Sequence, residues 1–186
     1  MKDKTQTLKS SEKVARFLEE NQLHKKDFAE MIGVTLSYVY NLIDETIPFS
    51  TRGTTIERIA TVMNISPDEF EEYKIPQEPI LQDDTLELLK NVIAEKNISI
   101  INFLKAFPRK RRVDMVDMLR GAYPIPIDYK ELSIIGQVLE LDKGDIYTLW
   151  EDRIKQVLEN NGMNLNSNAA LLNTMFECAR KFSNIE

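Results

Sequence analysis

The stretch "KKDFAEMIGVTLSYVYNLI", residues 25–43, decides the fold of the N-terminal part of this chain. Apolar side chains recur at helical spacing from Phe28 to Ile32, and Gly33 follows where a helix commonly ends in the left-handed conformation. Thr35 then provides a suitable N-cap for a second helix, whose apolar side chains again fall on one face. The stretch therefore predicts two short helices joined by a tight turn.

Further short helices are predicted on both sides of this pair. An apolar stripe begins behind Ser11, and another amphipathic helix begins at Thr54 or Thr55. The sequence "SPDEF" begins one more helix, with Ser66 as its N-cap and Pro67 at its first position. Five short helices in this part of the chain predict an all-α bundle with mostly local contacts.

The pattern of this bundle returns later in the chain. Phe103 follows Phe28 by 75 residues and, after one inserted residue, Pro124 follows Pro48 by 76 residues, a register that further apolar pairs share. Between the two copies, residues 75–83 contain two prolines and no helical period, which indicates a linker. The chain is therefore predicted to be a diverged tandem repeat.

The predicted domain organisation follows from this repeat. Beyond the second copy, a longer helix ends at Gly162, and a last helix carries a broad apolar side that must lie against another surface. The predicted divisions are a first bundle at 1–74, the linker at 75–83, a second and diverged bundle at 84–150, and a C-terminal helical extension at 151–186, which is a candidate dimerisation element.

Composition excludes several classes of protein. The 186 residues include only 6 Gly, which favours a helical protein over a β-sandwich, and 24 Lys and Arg against 30 Asp and Glu. The N-terminus lacks the apolar segment of a secretory signal, and no run approaches the roughly 18 apolar residues that a membrane span requires. The single cysteine, Cys178, excludes an internal disulfide. We expect a soluble, cytoplasmic protein that does not bind membranes.

No catalytic or metal-binding pattern accompanies these helices. One His and one Cys do not form a zinc ligand set within a chain. The sequence also lacks a glycine-rich phosphate loop, a nucleophile elbow and a triad arrangement. We therefore expect a protein that is not an enzyme and that needs no metal or other cofactor.

The region from Ser11 to Tyr73 resembles the Cro and phage-repressor type of helix-turn-helix domain, also called the XRE family. The features that carry the resemblance are Leu23, Phe28, Ala29, Ile32, Gly33, Val34, Thr35, Val39 and Leu42, followed by Ile59, Ala60, Met63, Asn64, Ile65 and Ser66. Residues 85–150 resemble the same fold more remotely. The resemblance implies two tandem lambda-repressor-like five-helix DNA-binding bundles with a C-terminal helical extension.

The resemblance also implies where the first copy contacts DNA. A short helix, a tight turn and a second helix place outward residues of the second helix in a major groove about 12 Å wide. Lys25 matches the phosphate-contacting start of the first helix, and Asn41 matches a position that can bond an adenine edge. Arg52 is a further cation near the expected DNA surface. The predicted DNA-binding residues of this copy are Lys25, Thr35, Leu36, Ser37, Tyr38, Tyr40, Asn41 and Arg52.

A basic run begins the corresponding recognition helix of the second copy. Its cations are Arg109, Lys110, Arg111 and Arg112. Arg112 and Val113 match the first two base-facing positions, and Arg120 lies at the exit turn. An Arg at a base-facing position can bind guanine O6 and N7, which is worth about 1–3 kcal/mol of discrimination, while its neighbours hold phosphates. All six residues are predicted DNA contacts, and which copy dominates stays open.

These inferences predict a sequence-specific regulator of transcription from a bacterium or phage, which binds double-stranded DNA as a homodimer and represses. Alternatively, the two copies pair within one chain and imitate that dimer. A second alternative is a protein-interaction module, such as an antitoxin, an anti-repressor or an anti-defence inhibitor, that binds a protein partner. It is favoured by 10 cations against 13 acids in residues 1–74, by the acidic turn at Asp44 and Glu45, and by the outward-facing Tyr38 and Tyr40.

Overall fold

A computed structural model describes residues 8–49, 51–74 and 84–183 of the chain. Every regular element within these ranges is helical, which confirms the predicted all-α fold. The predicted linker at 75–83 lies outside the described residues.

Ten α-helices occur in the described part of the chain. Their bounds are α1 Ser10–Glu20, α2 Lys25–Ile32, α3 Leu36–Ile43, α4 Gly53–Met63, α5 Asp84–Glu95, α6 Ile100–Lys105, α7 Arg112–Leu119, α8 Tyr129–Val138, α9 Lys143–Asn160 and α10 Leu165–Ser183. There are also two 3-10 turns. Pro67–Glu69 follows α4, and Arg109–Arg111 comes directly before α7.

The helices form two units that do not follow the order of the chain. The first unit contains α1 to α4 together with α6 and α7, and the second contains α5, α8, α9 and α10. The predicted second bundle at 84–150 is therefore divided, because its α6 and α7 belong with the N-terminal helices. The predicted extension at 151–186 shares a unit with α5 and α8.

The core of the first unit is built from the apolar faces that the sequence predicts. Phe28 and Ile32 of α2, Val39 of α3 and Ile56 of α4 have no exposed surface. Fully burying a side chain of this kind contributes about 1.5–3 kcal/mol. α2 contacts both α3 and α4, and α1 contacts α3, so the turn between α2 and α3 is held on a rigid base.

The predicted fifth helix of this bundle is a single 3-10 turn, Pro67–Glu69. Asn64 ends α4 in the left-handed conformation with a φ of 55°. After the turn, Phe70 is buried, but the residues from 71 to 74 are exposed or half-buried. A longer helix would have no apolar face to bury there, so tertiary packing does not support it.

The second recognition-helix candidate, α7, packs against α2 and α4 of the first unit. Its buried apolar side chains are Met115, Val116, Met118 and Leu119. They share one broad side of the helix, which is wide enough to contact more than one neighbouring helix. Because α7 is anchored in this way, the basic run immediately before it lies beside α2.

Helix positions keep the spacing of the predicted repeat. α6 begins at Ile100, 75 residues after Lys25 at the start of α2, and α7 begins at Arg112, 76 residues after Leu36 at the start of α3. The helices α5 to α8 nevertheless do not form one bundle, because they are shared between the two units. The tandem duplication stays a prediction.

The second unit is centred on α9, which contacts α5, α8 and α10. Tyr129 and Tyr147 stack with ring centroids 4.8 Å apart, and Trp150 meets Phe176 of α10 edge-on at 5.7 Å. Burial raises the pKa of Tyr129, and the neighbouring Tyr147 adds to this effect. The aromatic cluster therefore fixes α10 to α9.

Candidate nucleic-acid interface

The turn between α2 and α3 fixes the position of α3. Gly33 ends α2 in the left-handed conformation, with a φ of 71° and a ψ of 38°. Thr35 then caps α3, because its Oγ1 accepts a hydrogen bond from the Tyr38 amide at 3.2 Å. Val39 and Leu42 bury the inner face of the helix. Both the turn and the cap agree with the sequence prediction.

The opposite side of α3 is open to solvent. Its exposed residues, called the reading face below, are Leu36, Ser37, Tyr40 and Asn41. Tyr40 is 54% exposed and Leu36 is 40% exposed. The amide of Asn41 offers the donor and acceptor that match adenine N6 and N7, and Leu36 offers apolar contact for a thymine methyl. The structure therefore brings together all four residues that were predicted to face bases in the first copy.

The residues predicted to contact the DNA backbone flank this face. Lys25 lies at the start of α2, with its Nζ 5.3 Å from the centroid of the Tyr40 ring, which is a cation–π contact. Arg52 is exposed at the N-cap position of α4. Tyr38 is half-buried, and its hydroxyl donates a hydrogen bond to Thr51 Oγ1 at 2.6 Å. Tyr38 thus ties α3 to the loop before α4.

The acidic turn after α3 is ordered by hydrogen bonds. Asp44 Oδ1 accepts one bond from the Thr46 hydroxyl at 2.6 Å and one from the Thr46 amide at 2.9 Å. These two bonds lower the pKa of Asp44, a carboxylate that is already ionised at neutral pH at its ordinary pKa. Glu45 beside it is exposed. The turn therefore carries negative charge that repels a phosphate backbone, and nearby cations must offset this repulsion for DNA to bind.

The basic run forms the 3-10 turn beside α2. Arg109 and Lys110 are exposed, whereas Arg111 is half-buried with its Nε 3.3 Å from Asp114. Arg109 Nε lies 3.4 Å from Glu30 of α2, and the Arg109 side chain is 60% exposed. The first two cations of the run are thus on the surface of the unit that contains α3.

An open depression connects Arg109 to the reading face. The residues that line it are His24, Lys25, Lys26, Asp27, Leu36, Tyr40 and Arg109. Three of them are cations, and two belong to the reading face. The structure therefore brings members of both predicted DNA-contact sets to one surface.

Arg112 and Val113 have surroundings that differ from the predicted ones. Arg112 is 8% exposed, and its Nη1 lies 3.1 Å from Asp27 and 3.4 Å from Glu30. Val113 lies against Gly33, where an added Cβ would be 2.8 Å from Val113 Cγ2. The guanidinium that was predicted to face a guanine faces two carboxylates of α2 instead. A charge this deeply buried requires such partners.

Arg120 is the centre of a second set of ion pairs. Its Nη1 lies 2.6 Å from Glu57 of α4, and its Nε lies 2.8 Å from Asp117 of α7. Arg58 of α4 reaches the other oxygen of Asp117 at 2.6 Å. Burial alone would raise the pKa of Asp117, but hydrogen bonds from the two arginines outweigh this effect and the pKa is lowered. These contacts join α7 to α4.

Sequence reasoning missed the partners of the buried arginines. They are Asp27 and Glu30 for Arg112, and Glu57 and Asp117 for Arg120, with Asp117 also pairing with Arg58. Arg112 and Asp27 are 85 residues apart in the chain, and Arg58 and Asp117 are 59 apart. Hydrophobic periodicity carries no information on contacts at such separations. The one available signal was that Asp27 and Glu30 stand three residues apart, which puts both carboxylates on one side of α2.

Within residues 8–49, 51–74 and 84–183, no group of three or more His, Cys, Asp or Glu residues is arranged to hold a metal ion. No helix in the same ranges has the length and apolar character to cross a membrane.

Comparison with known families agrees with this geometry. Residues 13–76 match the family model described as a Cro/C1-type HTH DNA-binding domain, which confirms the resemblance predicted for the first copy. The match includes α2, α3 and α4, and hence the whole reading face. No curated protein and no solved structure matches the chain significantly.

Proposed function

We propose that the protein represses transcription by occupying a specific double-stranded DNA site, a proposal supported by the match of residues 13–76 to the Cro/C1-type HTH DNA-binding domain. The observation that carries the proposal is the exposed reading face of α3, which is fixed by the Thr35 cap and by buried Val39 and Leu42. α3 enters the major groove in this proposal. Repression follows because the occupied DNA is closed to other proteins.

The residues of the interface divide into two roles. Asn41 and Leu36 discriminate bases, because their side chains match features of the major-groove edges. Lys25 and Arg52 hold phosphates and add affinity that does not depend on sequence. Replacing a residue of the first kind should therefore reduce sequence selectivity, whereas replacing one of the second kind should weaken binding to every duplex.

We expect Asn41→Ala to weaken binding to the preferred DNA site by about 1–3 kcal/mol, which is the worth of one bidentate base contact. Binding to random duplex should change little, because Asn41 makes no phosphate contact in the proposal. Fluorescence anisotropy measures both, with the preferred duplex first selected from a random library by the wild-type protein.

Asn102→Ala is the matched control, since Asn102 is an exposed asparagine on α6 of the same unit. It should bind like the wild type. Equal losses for the two variants, or an Asn41→Ala variant with undiminished selectivity, would contradict the role of Asn41. A wild-type protein that selects no duplex would overturn the proposed function.

A homodimer is part of the proposal, because one recognition helix contacts only a few base pairs and two half-sites multiply affinity. α10 offers a surface for it. Leu171 is 61% exposed and Met175 is 57% exposed, and the exposed Cys178 follows on the same side of the helix. On the other side, Leu172 and Phe176 are buried in the second unit.

We expect Leu171→Glu combined with Met175→Glu to raise the dimer dissociation constant by at least about tenfold, since each change places a charge at an apolar contact. Both positions are exposed, so the fold should persist. Sedimentation equilibrium measures the constant. Leu88→Glu is the control, because Leu88 on α5 is 50% exposed. A monomeric wild type, or equal weakening by Leu88→Glu, would refute the α10 interface.

A further inference from the structure

Two carboxylates of α2 lie close to the proposed DNA surface. Asp27 and Glu30 follow Lys25, whose position at the start of α2 is the phosphate-contacting part of the interface. Left alone, these carboxylates would repel a phosphate backbone. Arg112 lies within 3.1 Å of Asp27 and 3.4 Å of Glu30. The segment that leads into α7 therefore neutralises part of the negative charge of α2.

Arg109 stands on the same side of α2 but in solvent. Its side chain is 60% exposed and only loosely paired, at 3.4 Å, with Glu30. Glu30 keeps Arg112 as a partner when Arg109 turns away, so no buried charge is left alone. Arg109 is thus a cation that can leave its pair at little cost.

The depression beside the reading face brings Arg109 into line with other cations. Lys25, Lys26 and Arg109 line it together with Tyr40, which is 54% exposed. A DNA strand that lies along the reading face therefore passes next to this cluster. Phosphates are the chemical group that such a cluster fits, and a guanidinium can bind one through two parallel hydrogen bonds.

We propose that Arg109 is a phosphate-binding residue of the α3 interface, contributed by the segment that precedes α7. The inference rests on the proposed function, since it takes α3 as the DNA-reading helix. The DNA surface of the N-terminal helix-turn-helix is then completed by a residue 66 positions beyond Ile43, the last residue of α3. The two arginines have different roles in the proposal. Arg112 neutralises the carboxylates of α2, and Arg109 binds a DNA phosphate.

The test is the salt dependence of DNA binding. Arg109→Gln should reduce the slope of log K against log salt by about one, the value for a single lost phosphate contact. It should weaken binding to the selected site and to random duplex by the same factor, because phosphates carry no sequence information. Arg109→Lys should keep the wild-type slope, since the charge remains. Anisotropy titrations of the full chain at several KCl concentrations give these slopes.

Arg16→Gln is the matched control. Arg16 on α1 is 65% exposed and is also paired with one glutamate, Glu20, so its loss removes the same charge from the same unit. Its slope should equal that of the wild type. The inference is overturned, and the proposed function stands, if the wild type binds its site, Asn41→Ala loses selectivity and Arg109→Gln keeps the control slope. A wild type that binds no duplex overturns both.

Discussion

Arg120→Met is expected to lower the free energy of unfolding of the first unit by about 3–5 kcal/mol, the loss typical when one partner of a buried ion pair is removed. Arg120 reaches Glu57 at 2.6 Å, and Glu57 is only 6% exposed. Met keeps much of the volume of the arginine stem but none of its charge. The Tyr73 hydroxyl still donates a hydrogen bond to Glu57 at 2.7 Å, but a neutral donor does not balance a buried carboxylate.

Arg16→Met is the comparison variant, because it removes an ion pair with the same nitrogen–oxygen distance. The Arg16–Glu20 pair is also 2.6 Å long, but its two side chains are 65% and 57% exposed. An exposed pair is worth about 0–1 kcal/mol, because water screens the charges and side-chain entropy opposes the contact. The two variants therefore separate the effect of burial from the effect of distance.

Hydrogen exchange of the amides in α2, α4 and α7 measures the stability of the first unit. The fluorescence of Trp150 follows the unfolding of the second unit, so the two measurements separate the units. The loss should appear in these three helices. Combining Arg120→Met with Glu57→Gln should recover much of it, since the unpaired charge is removed. Equal effects of Arg120→Met and Arg16→Met would show that α7 is not held by buried ion pairs.

Loss of the α7 contacts would also displace residues of the proposed DNA surface. Arg120 joins α7 to α4, and Arg112 joins the start of α7 to α2. These two anchors position the 3-10 turn that carries Arg109. The proposal therefore couples the stability of the first unit to the position of Arg109, its phosphate-binding residue.

The α2–turn–α3 segment was predictable because its determinants are local. Gly33, the Thr35 cap and the spacing of Val39 and Leu42 are all encoded within a few residues of one another. The exposure of Asn41 follows from the same spacing, since it lies on the side of α3 opposite to the buried residues. The exposed side of α3 was therefore predictable from sequence, whereas the assignment of its residues to bases came from the family resemblance and stays a prediction.

The surroundings of the basic run were not predictable by the same means. The periodicity of α7 indicates a helix but does not say which surface covers it. Four consecutive cations look alike in the sequence, yet Arg109 is 60% exposed at the side chain and Arg112 is 8% exposed as a residue. The difference depends on Asp27 and Glu30, more than 80 positions away from Arg112. Local patterns carry no information about such a pairing.

The second large effect is expected for Gly33→Ala, which should destabilise the first unit by about 2–5 kcal/mol. Strain in the left-handed conformation accounts for roughly 1–2 kcal/mol, and the φ of Gly33 is 71°. Overpacking adds about 1–3 kcal/mol, because the new Cβ would lie 2.8 Å from Val113 Cγ2 and 3.0 Å from Arg58 Nη1. Hydrogen exchange in α2 and α3 measures the loss.

Gly162→Ala isolates the strain from the contact. Gly162 has a φ of 85°, but no atom lies within 4 Å of the position that its Cβ would take. Its replacement should therefore cost only the strain, about 1–2 kcal/mol. Hydrogen exchange in α9 and α10, which flank Gly162, gives this value.

A double-mutant cycle between Gly33→Ala and Val113→Ala then tests the packing of α7 itself. Val113 belongs to α7, so shortening it should relieve the clash, and the double variant should be less destabilised than the sum of the single ones. A chain whose α7 stood in a separate second bundle would give additive effects, because Gly33 and Val113 would not touch. Non-additivity would therefore establish, from stability alone, that the basic run is held against the helix-turn-helix of the N-terminal bundle.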